Sequence, residues 1–350
     1  MPPSLTARRL HAQGISAPVA ASPAGAVRHL GAMQAQDYHA ALWAVGLRTQ
    51  GATRAQVEEA IERGEIVRTW PMRGTLHLLA REDVRWMVAL LAPRVQAANA
   101  ARIARDLGLD AAALTRGRHV VEKALAAGTP VTRSALYANM DAAGFASAHQ
   151  RGLHLLNWLA HEGAICQGPR HGKQPTFVLM DAWVPPSTPL GRDEALHRLA
   201  LRYLQGHGPA TAADLAWWSG LTQKDALRAL ELAGSALEKE TRDGTTWWWR
   251  ADAPLPARSR VIHLLPAFDE YLIGYRDRTP VLDAPHTRRV IGINGLVAAT
   301  AIVEGRVVAT WKRAGDTDIA LAPLRALADA EHEGIQRAAQ RWRRFLGGAR

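Results

Sequence analysis

The chain contains 350 residues, 48% of them hydrophobic, with 43 Lys and Arg residues against 32 Asp and Glu residues. Because a single hydrophobic core rarely grows beyond roughly 250–300 residues, this length predicts two or three domains. The apolar content excludes a disordered chain, and no apolar run approaches the ~20 residues that a transmembrane helix requires. The surplus of positive charge, nearly all arginine, indicates a polyanionic partner such as nucleic acid; a GC-rich coding bias toward arginine is the alternative explanation.

The cysteine and the N-terminal segment indicate the compartment. Cys166 is the one cysteine of the sequence, which excludes an intrachain disulfide and a thiolate metal cluster. The first residues, MPPSLTARRLHAQG, lack the apolar core of a signal peptide. We therefore expect a cytoplasmic, nucleoid-associated protein without a membrane partner. No His, Asp and Glu cluster has metal-ligand spacing and no glycine-rich phosphate loop occurs, so we expect neither a metal nor a cofactor.

Residues 1–80 are predicted to form a first winged-helix unit. Residues 4–14 and 24–36 have the composition of two helices, and Thr53 is placed to cap a third. Residues 65–80 then alternate as two strands around the turn Pro71-Met72-Arg73-Gly74. Residues 81–115 are amphipathic and are predicted to form a helical connector.

A repeated motif predicts two further units. The pattern Pro-x-Thr-x-x-x-Leu occurs at residues 130–136 and again at 209–215. In both copies a helix ends before the proline, and Thr132 or Thr211 is placed to cap the next helix. A further helix and a hairpin follow each copy. Three helices and then a hairpin is the order of a winged helix-turn-helix, which predicts a second unit over 116–188 and a third over 189–254.

The character of the chain changes at residue 255. Residues 260–265 are predicted to form a buried strand that breaks at Pro266, residues 295–313 a hairpin, and residues 329–346 a basic helix. We read 255–350 as a small α+β domain. The predicted fold class is therefore α+β, with three tandem winged helix-turn-helix units and a small C-terminal α+β domain. Because winged helices also mediate protein interactions, a scaffold or docking protein is an alternative.

Two glutamines and an aspartate interrupt an apolar segment, GAMQAQDYHAALWAVGL, at residues 31–47. We expect this segment to be the second helix and the turn beyond it. Residues i and i+2 do not share a helix face, so Gln34 and Gln36 can face one site only if the helix ends or distorts there. On spacing alone, the glutamines cap the helix or bond to a nearby loop, and Asp37 begins a turn.

Four blocks together resemble a known family. They are RHLGAMQAQDYHAALW, IVRTWPMRGTLHLL, HLLPAFDEYLIGYRDR and NGLVAATAIVEGRVVATWKR. In this order, over nearly the whole chain, they resemble the AlkZ-like family of winged-helix DNA glycosylases. Ala267 stands where relatives have a second proline.

The resemblance implies a fold, an activity and a catalytic motif. It implies three tandem winged helices that form a concave DNA-binding surface. It also implies the removal of bulky or cationic alkylated purines and, in some members, the unhooking of interstrand crosslinks. It places catalysis at a Gln-x-Gln motif, which is Gln34-Ala35-Gln36 in this chain. Another branch has Gln-x-Asp; Asp37 comes one place too late to be that carboxylate.

The chemistry of a glutamine pair predicts a narrow substrate range. Hydrolysis of an N-glycosidic bond passes through an oxocarbenium-like sugar, and a neutral amide activates water poorly. A cationic alkylated purine already leaves readily, so positioning the water becomes the larger need. We predict activity on such adducts and little on neutral bases such as uracil. None of the five lysines lies near the glutamines in sequence, which predicts a monofunctional enzyme without a Schiff base.

Eight residues near predicted turns and strand ends could contact DNA phosphates. They are Arg68, Arg73, His77, Arg170, His171, Lys173, Arg276 and Arg278. For the first three, a solvated hairpin and a buried sheet histidine are the alternatives. Asp269 and Glu270, just before the last two, are expected to form a buried, salt-bridged corner instead.

The expected partner is double-stranded DNA, and we expect a monomer because the wing surfaces are used by DNA. The alternative function is a non-enzymatic winged-helix DNA-binding protein such as a transcriptional regulator. It explains the charge and the helices equally well, but not the Gln-x-Gln block. A regulator would strongly prefer one DNA sequence, whereas a glycosylase would leave abasic sites.

Overall fold

A computed structural model describes residues 4–255, 262–316 and 318–347. Two compact units make up the chain: the first combines Met1–Glu59 with Leu196–Arg350, and the second is Ala60–Ala195. Both units mix helices and strands, which confirms the predicted α+β class. The division into three winged helices and a C-terminal domain stays a prediction.

The N-terminal part of the first unit is mostly helical. Its elements are α1 (Leu5–Ala12), α2 (Pro23–Leu30), β1 (Met33–Gln34), α3 (Tyr38–Arg48) and α4 (Arg54–Glu62), which runs on into the second unit. The prediction that the second helix continues through Gln36 is wrong. It ends at Leu30 because Gly31 follows with φ +79°, a conformation that glycine adopts without strain. The predicted turn after it is also wrong, since Asp37 caps the new helix α3.

The second unit consists of an antiparallel sheet and five helices among its described residues. Its elements are β2 (Ile66–Met72), β3 (Thr75–Ala80), α5 (Val84–Leu107), α6 (Ala111–Leu125), β4 (Val131–Thr132), α7 (Arg133–Ala142), α8 (Arg151–His161), β5 (Ile165–His171), β6 (Gln174–Leu179) and α9 (Met180–Trp183). The strands follow the order β3-β2-β5-β6-β4. Both predicted hairpins and the Thr132 cap are confirmed. Leu155, Leu156 and Leu159 of α8 lie in its hydrophobic core.

The remainder of the chain completes the first unit. Its elements are α10 (Arg192–His207), which starts in the second unit, α11 (Ala212–Ser219), α12 (Gln223–Leu232), β7 (Leu237–Arg242), β8 (Thr245–Arg250), β9 (Ile262–Leu265), α13 (Glu270–Ile273), α14 (Thr287–Val290), β10 (Thr300–Val303), β11 (Arg306–Ala314), β12 (Asp318–Pro323) and α15 (Asp329–Phe345). Thr211 caps α11, as predicted, and forms a reciprocal capping box with Asp214. Strands β12-β11-β10-β9 form one sheet; β12 was not predicted. Residues 260 and 261 of the predicted strand lie outside the described residues.

Helix α3 lies at the centre of the first unit. All its residues from Ala41 to Arg48 are buried. A Cβ at Gly46 would lie 2.2 Å from Cε2 of Phe345, so glycine allows α15 to approach this closely. The indole Nε1–H of Trp43 donates to the carbonyl of Leu264 on β9 at 2.9 Å. These contacts hold α3, and with it the glutamine segment just before it, against the C-terminal part of the unit.

Candidate active site

The two glutamines lie between two helices: Gln34 ends the short strand β1, and Gln36 lies at a bend just before α3. Met33 and Ala35 are fully buried, whereas Gln34 is half-buried and Gln36 is exposed. Burial therefore alternates over residues 33–36, and both glutamines occupy the less buried positions. The condition under which Gln34 and Gln36 could share one site, a helix that ends before them, is therefore met.

A buried carboxylate holds the backbone of the first glutamine. The backbone N–H of Gln34 donates to Oε1 of Glu270 at 2.8 Å. The other oxygen of Glu270, Oε2, accepts from Nε1–H of Trp218 at 3.0 Å. Glu270 is only 1% exposed. Because a buried carboxylate needs several donors, these bonds fix its orientation and thereby the position of Gln34.

His207 contacts the same carboxylate from α10. Its Nδ1 lies 3.1 Å from the carbonyl oxygen of Tyr203, and its Nε2 lies 3.4 Å from Oε2 of Glu270. A carbonyl only accepts, so this ring orientation places a proton on Nδ1. The hydroxyl of Tyr275 donates to the carbonyl of His207 at 3.1 Å. Burial raises the pKa of Tyr275 to about 12, which keeps that hydroxyl protonated.

Neighbouring ion pairs stiffen this corner. The guanidinium of Arg48 donates to both carboxylate oxygens of Asp269 at 2.9 Å, and both side chains are completely buried. Arg9 pairs with Asp214 at 3.3 Å and stacks over the ring of Tyr275 at 3.6 Å. The prediction that Asp269 and Glu270 form a buried, salt-bridged corner is confirmed. Removing one member of such a pair would leave an uncompensated buried charge.

Asp37 performs a structural task beside the glutamines. Its Oδ1 accepts the backbone N–H of Ala40 at 3.0 Å and so caps α3. Aspartate is among the best residues for this position. The exposed carboxylate of Asp37, next to Gln36, therefore serves as the N-cap of α3.

The candidates of the first hairpin lie in and beside the sheet. Arg68 is 9% exposed and donates to Oε1 of Gln167 on the neighbouring strand at 2.8 Å. His77 is fully buried, with Nδ1 2.9 Å from the carbonyl of Thr75 and Nε2 3.1 Å from Nη2 of Arg73. Arg73 is half-buried at the hairpin turn. This placement favours structural roles for Arg68 and His77; their contact with DNA stays a prediction.

The second hairpin presents its candidates at the tip. His171 and Lys173 are exposed on either side of Gly172. Arg170 is half-buried and donates to the carbonyl of Lys173 across the turn. These three remain predicted phosphate contacts, and their position at the tip of a hairpin is compatible with contact to a phosphate.

The two arginines after α13 differ from each other. Arg276 is exposed, and its backbone N–H donates to Oδ1 of Asp214 at 2.9 Å. Arg278 is half-buried, donates to the carbonyl of Leu272 at 2.8 Å and lies over the ring of Trp217 at 5.2 Å. Burial lowers the pKa of Arg278. Arg276 is the freer of the two to reach a phosphate, and both contacts stay predictions.

Among residues 4–255, 262–316 and 318–347, no three His, Cys, Asp or Glu side chains are grouped so that they could hold a metal ion. None of the helices described there is long and apolar enough to cross a membrane.

Comparison with known proteins establishes the family. A family model described as "DNA glycosylase AlkZ-like" matches residues 27–345. The chain belongs to this family. The match confirms the resemblance of the four sequence blocks and the predicted enzyme class, a DNA glycosylase.

Two relatives from Streptomyces sahachiroi agree with this assignment. A curated protein named "Interstrand DNA cross-link repair glycosylase" is 27% identical over 317 residues, which is 83% of this chain and 82% of the relative. The solved structure named "Streptomyces sahachiroi DNA glycosylase AlkZ" superimposes with a TM-score of 0.82 at 24% identity. The superposition covers all of this chain and 98% of that one, which shows a shared fold.

Sequence reasoning missed the residues behind the AlkZ-like motif. Glu270 was read as part of a corner, and its bond to Gln34 joins residues 236 positions apart. His207 and Trp218, which contact Glu270, were not singled out as a group. The available signal was weak: a Glu between apolar residues in LLPAFDEYLIGY indicates a buried carboxylate that requires donors, but not which donors.

Proposed function

We propose that this AlkZ-like protein is a monofunctional glycosylase that hydrolyses the N-glycosidic bond of cationic alkylated purines, with a water held by Gln34 and Gln36. The observation that carries the proposal is the pair of glutamines at the less buried positions of a segment that Glu270 holds through the backbone of Gln34. Two amide oxygens can accept from one water and orient its lone pair toward the sugar carbon. Their partial negative charge also stabilises the developing oxocarbenium ion.

The buried carboxylate supports a substrate that carries positive charge. Oε1 of Glu270 lies 2.8 Å from the backbone nitrogen of Gln34, so a buried carboxyl oxygen with partial negative charge lies directly behind the motif. It favours a cationic sugar over a neutral one, but it is not placed on the open side to deprotonate water. N7- and N3-alkylated purines suit such a site because they leave without strong assistance. The relative named for interstrand cross-link repair supports including crosslinked purines among the substrates.

We further propose a monomer that acts on double-stranded DNA in the cytoplasm, at the nucleoid. The surplus of arginine supports a polyanionic partner. The phosphate contacts of this proposal are the exposed Arg276, His171 and Lys173, with Arg170 and Arg73 at hairpin turns. The alternative of a sequence-specific regulator gains no support from the glutamine geometry.

The test is base release from duplex DNA that carries a single N7-alkylguanine. We expect the wild type to release the base and Gln34→Ala and Gln36→Ala each to lose at least about a hundredfold in single-turnover rate, as other losses of positioned polar groups do. Gln56→Ala, which removes a glutamine at the start of α4, is the matched control and should retain activity. Unfolding curves show whether each variant is folded.

Three results would contradict the proposal. Full activity in both motif variants would remove the catalytic role of the glutamines. Efficient release of uracil would contradict the restriction to cationic bases. A covalent protein–DNA adduct trapped by borohydride would contradict monofunctional hydrolysis.

A further inference from the structure

A basic groove lies in the first unit, beside the C-terminal half of α3, the helix that follows the glutamine motif. It is bounded by the end of α3, by β9 and by α15, and its volume is about 290 Å³. Its polar lining consists of His263, Arg337, Arg341 and Arg344, and its floor includes Trp43 and Leu47. The described lining contains no Asp or Glu. The following inference goes beyond the proposed function, which does not use this groove.

The three arginines share one face of α15. They lie at positions i, i+4 and i+7 of the helix, where side chains line up on one face. Arg344 is exposed, and its guanidinium makes no hydrogen bond or ion pair with a described residue. Arg337 is 3.6 Å from Glu333, at a highly exposed position where such a pair contributes little. The groove therefore concentrates positive charge without a carboxylate inside it.

Arg341 is held in place within the groove. Its Nη2 donates to the carbonyl of Leu47 at 2.5 Å, at the end of α3. Burial, then the charges of Arg344 and Arg48, lower the pKa of Arg341. Arg48 is already neutralised by Asp269, whereas the repulsion between Arg341 and Arg344 is not relieved by any acidic group of the described lining. An anion between them would relieve it.

A buried histidine of β9 offers an unused polar atom. His263 is 3% exposed, and its Nε2 has no hydrogen-bond partner among the described residues. Burial and the charges of Arg341 and Arg48 lower its pKa to about 3, so the imidazole is neutral at pH 7. A buried polar atom without a partner is costly, and a neutral imidazole can donate one N–H to an oxygen.

We propose that this groove binds a phosphate group, held by Arg341 and Arg344 and completed by a hydrogen bond from His263. Guanidinium groups grip phosphate oxygens with paired N–H donors. The volume lies at the lower end of small-ligand pockets, which suits a phosphate and part of its ester. The phosphate comes either from the DNA backbone or from a free nucleotide.

The DNA arm compares the salt dependence of duplex binding. We expect Arg341→Gln/Arg344→Gln to weaken binding about five- to tenfold at 0.1 M salt and to lower the slope of log K against log salt by about 1, since one phosphate contact is lost. Arg343→Gln is the matched control for Arg344→Gln, because each removes one positive charge from α15 and Arg343 does not line the groove. Arg344→Gln alone, at an exposed position, keeps the Leu47 bond and tests the site in a folded protein.

The free-ligand arm titrates inorganic phosphate and a nucleoside monophosphate while the ring resonances of His263 are followed by NMR. Movement of these resonances in the wild type and in Arg343→Gln, but not in the double variant, supports the site. If the His263 resonances move but the double variant and the wild type have the same salt slope for DNA binding, a free nucleotide is the ligand. If the resonances move and the salt slopes also differ, the ligand is the DNA backbone. If Arg344→Gln and Arg343→Gln behave alike in both arms, or if His263 does not respond, the proposal is overturned, whatever the outcome at Gln34 and Gln36.

Discussion

At the scale of single residues, the glutamine motif depends on a carboxylate that never reaches the surface. Glu270 accepts the Gln34 backbone N–H on one oxygen and the Trp218 indole N–H on the other. Such an arrangement holds a functional side chain through its backbone, so the amide itself stays available for a water. A supporting group of this kind reduces the freedom of the motif, which matters because small displacements of a positioned water cost much rate.

We expect the two substitutions of Glu270 to separate folding from chemistry. Glu270→Ala leaves buried donors without an acceptor, which should lower the free energy of unfolding by about 3 kcal/mol or more. Glu270→Gln keeps the shape and one acceptor for Gln34, but its NH2 group cannot accept from the Trp218 indole N–H. It should therefore be less destabilised than Glu270→Ala, remain folded and, without the carboxylate, lose about tenfold or more in the single-turnover rate. Urea unfolding and base release measure the two effects. A Glu270→Gln protein with the wild-type rate would show that the charge has no part in the reaction.

At the scale of elements, the break between α2 and α3 creates the site. Gly31 ends one helix and Asp37 caps the next, so the five residues from Ala32 to Gln36 belong to neither helix. The same break explains the polar run in an apolar segment. Buried Met33 and Ala35 anchor the segment, and the glutamines alternate with them.

We expect Asp37 to contribute to stability and not to the reaction. Asp37→Ala removes the cap of α3 and should lower the free energy of unfolding by about 1 kcal/mol. Asp37→Asn keeps an oxygen that can accept the Ala40 N–H, so it should be nearly as stable as the wild type and as active in base release. Thermal unfolding and the N7-alkylguanine assay test both. A large loss of rate in a stable Asp37→Asn protein would make the carboxylate part of the site.

At the scale of the whole molecule, charge and pH connect stability with function. Arginine supplies most of the positive charge, yet Arg9, Arg48 and Arg68 are buried and bond to other buried side chains. The charge available to DNA is therefore smaller than composition suggests. Buried neutral histidines also make the stability of the whole protein depend on pH, because they bind protons less readily in the folded state than in the unfolded state.

We expect stability to fall between pH 6.5 and 4 through His161 of α8. Burial lowers its pKa to about 4, and its Nε2 has no hydrogen-bond partner among the described residues. The unfolded chain binds more protons than the folded one in this range, so unfolding becomes easier as the pH falls, by at most about 3 kcal/mol at pH 4. His161→Leu should flatten this dependence, measured by urea unfolding at several pH values. His119→Leu, on the exposed side of α6, is the control; equal curves for the two variants would contradict the assignment.

The hairpins and caps were predictable because they rest on local chemistry. Asp243-Gly244 and Arg73-Gly74 form tight turns between strands, and Thr132 and Thr211 cap helices as their sequences indicate. Side chains also alternate along β8 as they do in any strand: Trp248 is buried, while Trp247 and Trp249 on the opposite face are half-buried. Neighbours within a few residues determine such features.

The pairing of distant segments was not predictable from one sequence. β2 pairs with β5 through Arg68 and Gln167, so Arg68, a predicted phosphate contact, also bonds within the sheet. The edge strand β12 and the short strand β1 also escaped prediction, since strand formation depends on a partner that lies elsewhere in the chain. The helix predicted through Gln36 was wrong because one glycine outweighed the helical composition around it.

By itself, the sequence determined the mixed α+β class, the capped helices and tight hairpins, the family, and the identity of the Gln-Ala-Gln motif, since each rests on residues adjacent in the chain. Only the tertiary structure decided that Gln34 and Gln36 alternate with buried residues between two helices, that Glu270 holds the backbone of Gln34, and that His263 meets the arginines of α15 in one groove. The reason is physical: a buried carboxylate or imidazole takes its role from the donors and charges that packing brings to it, and those came from residues up to 236 positions away.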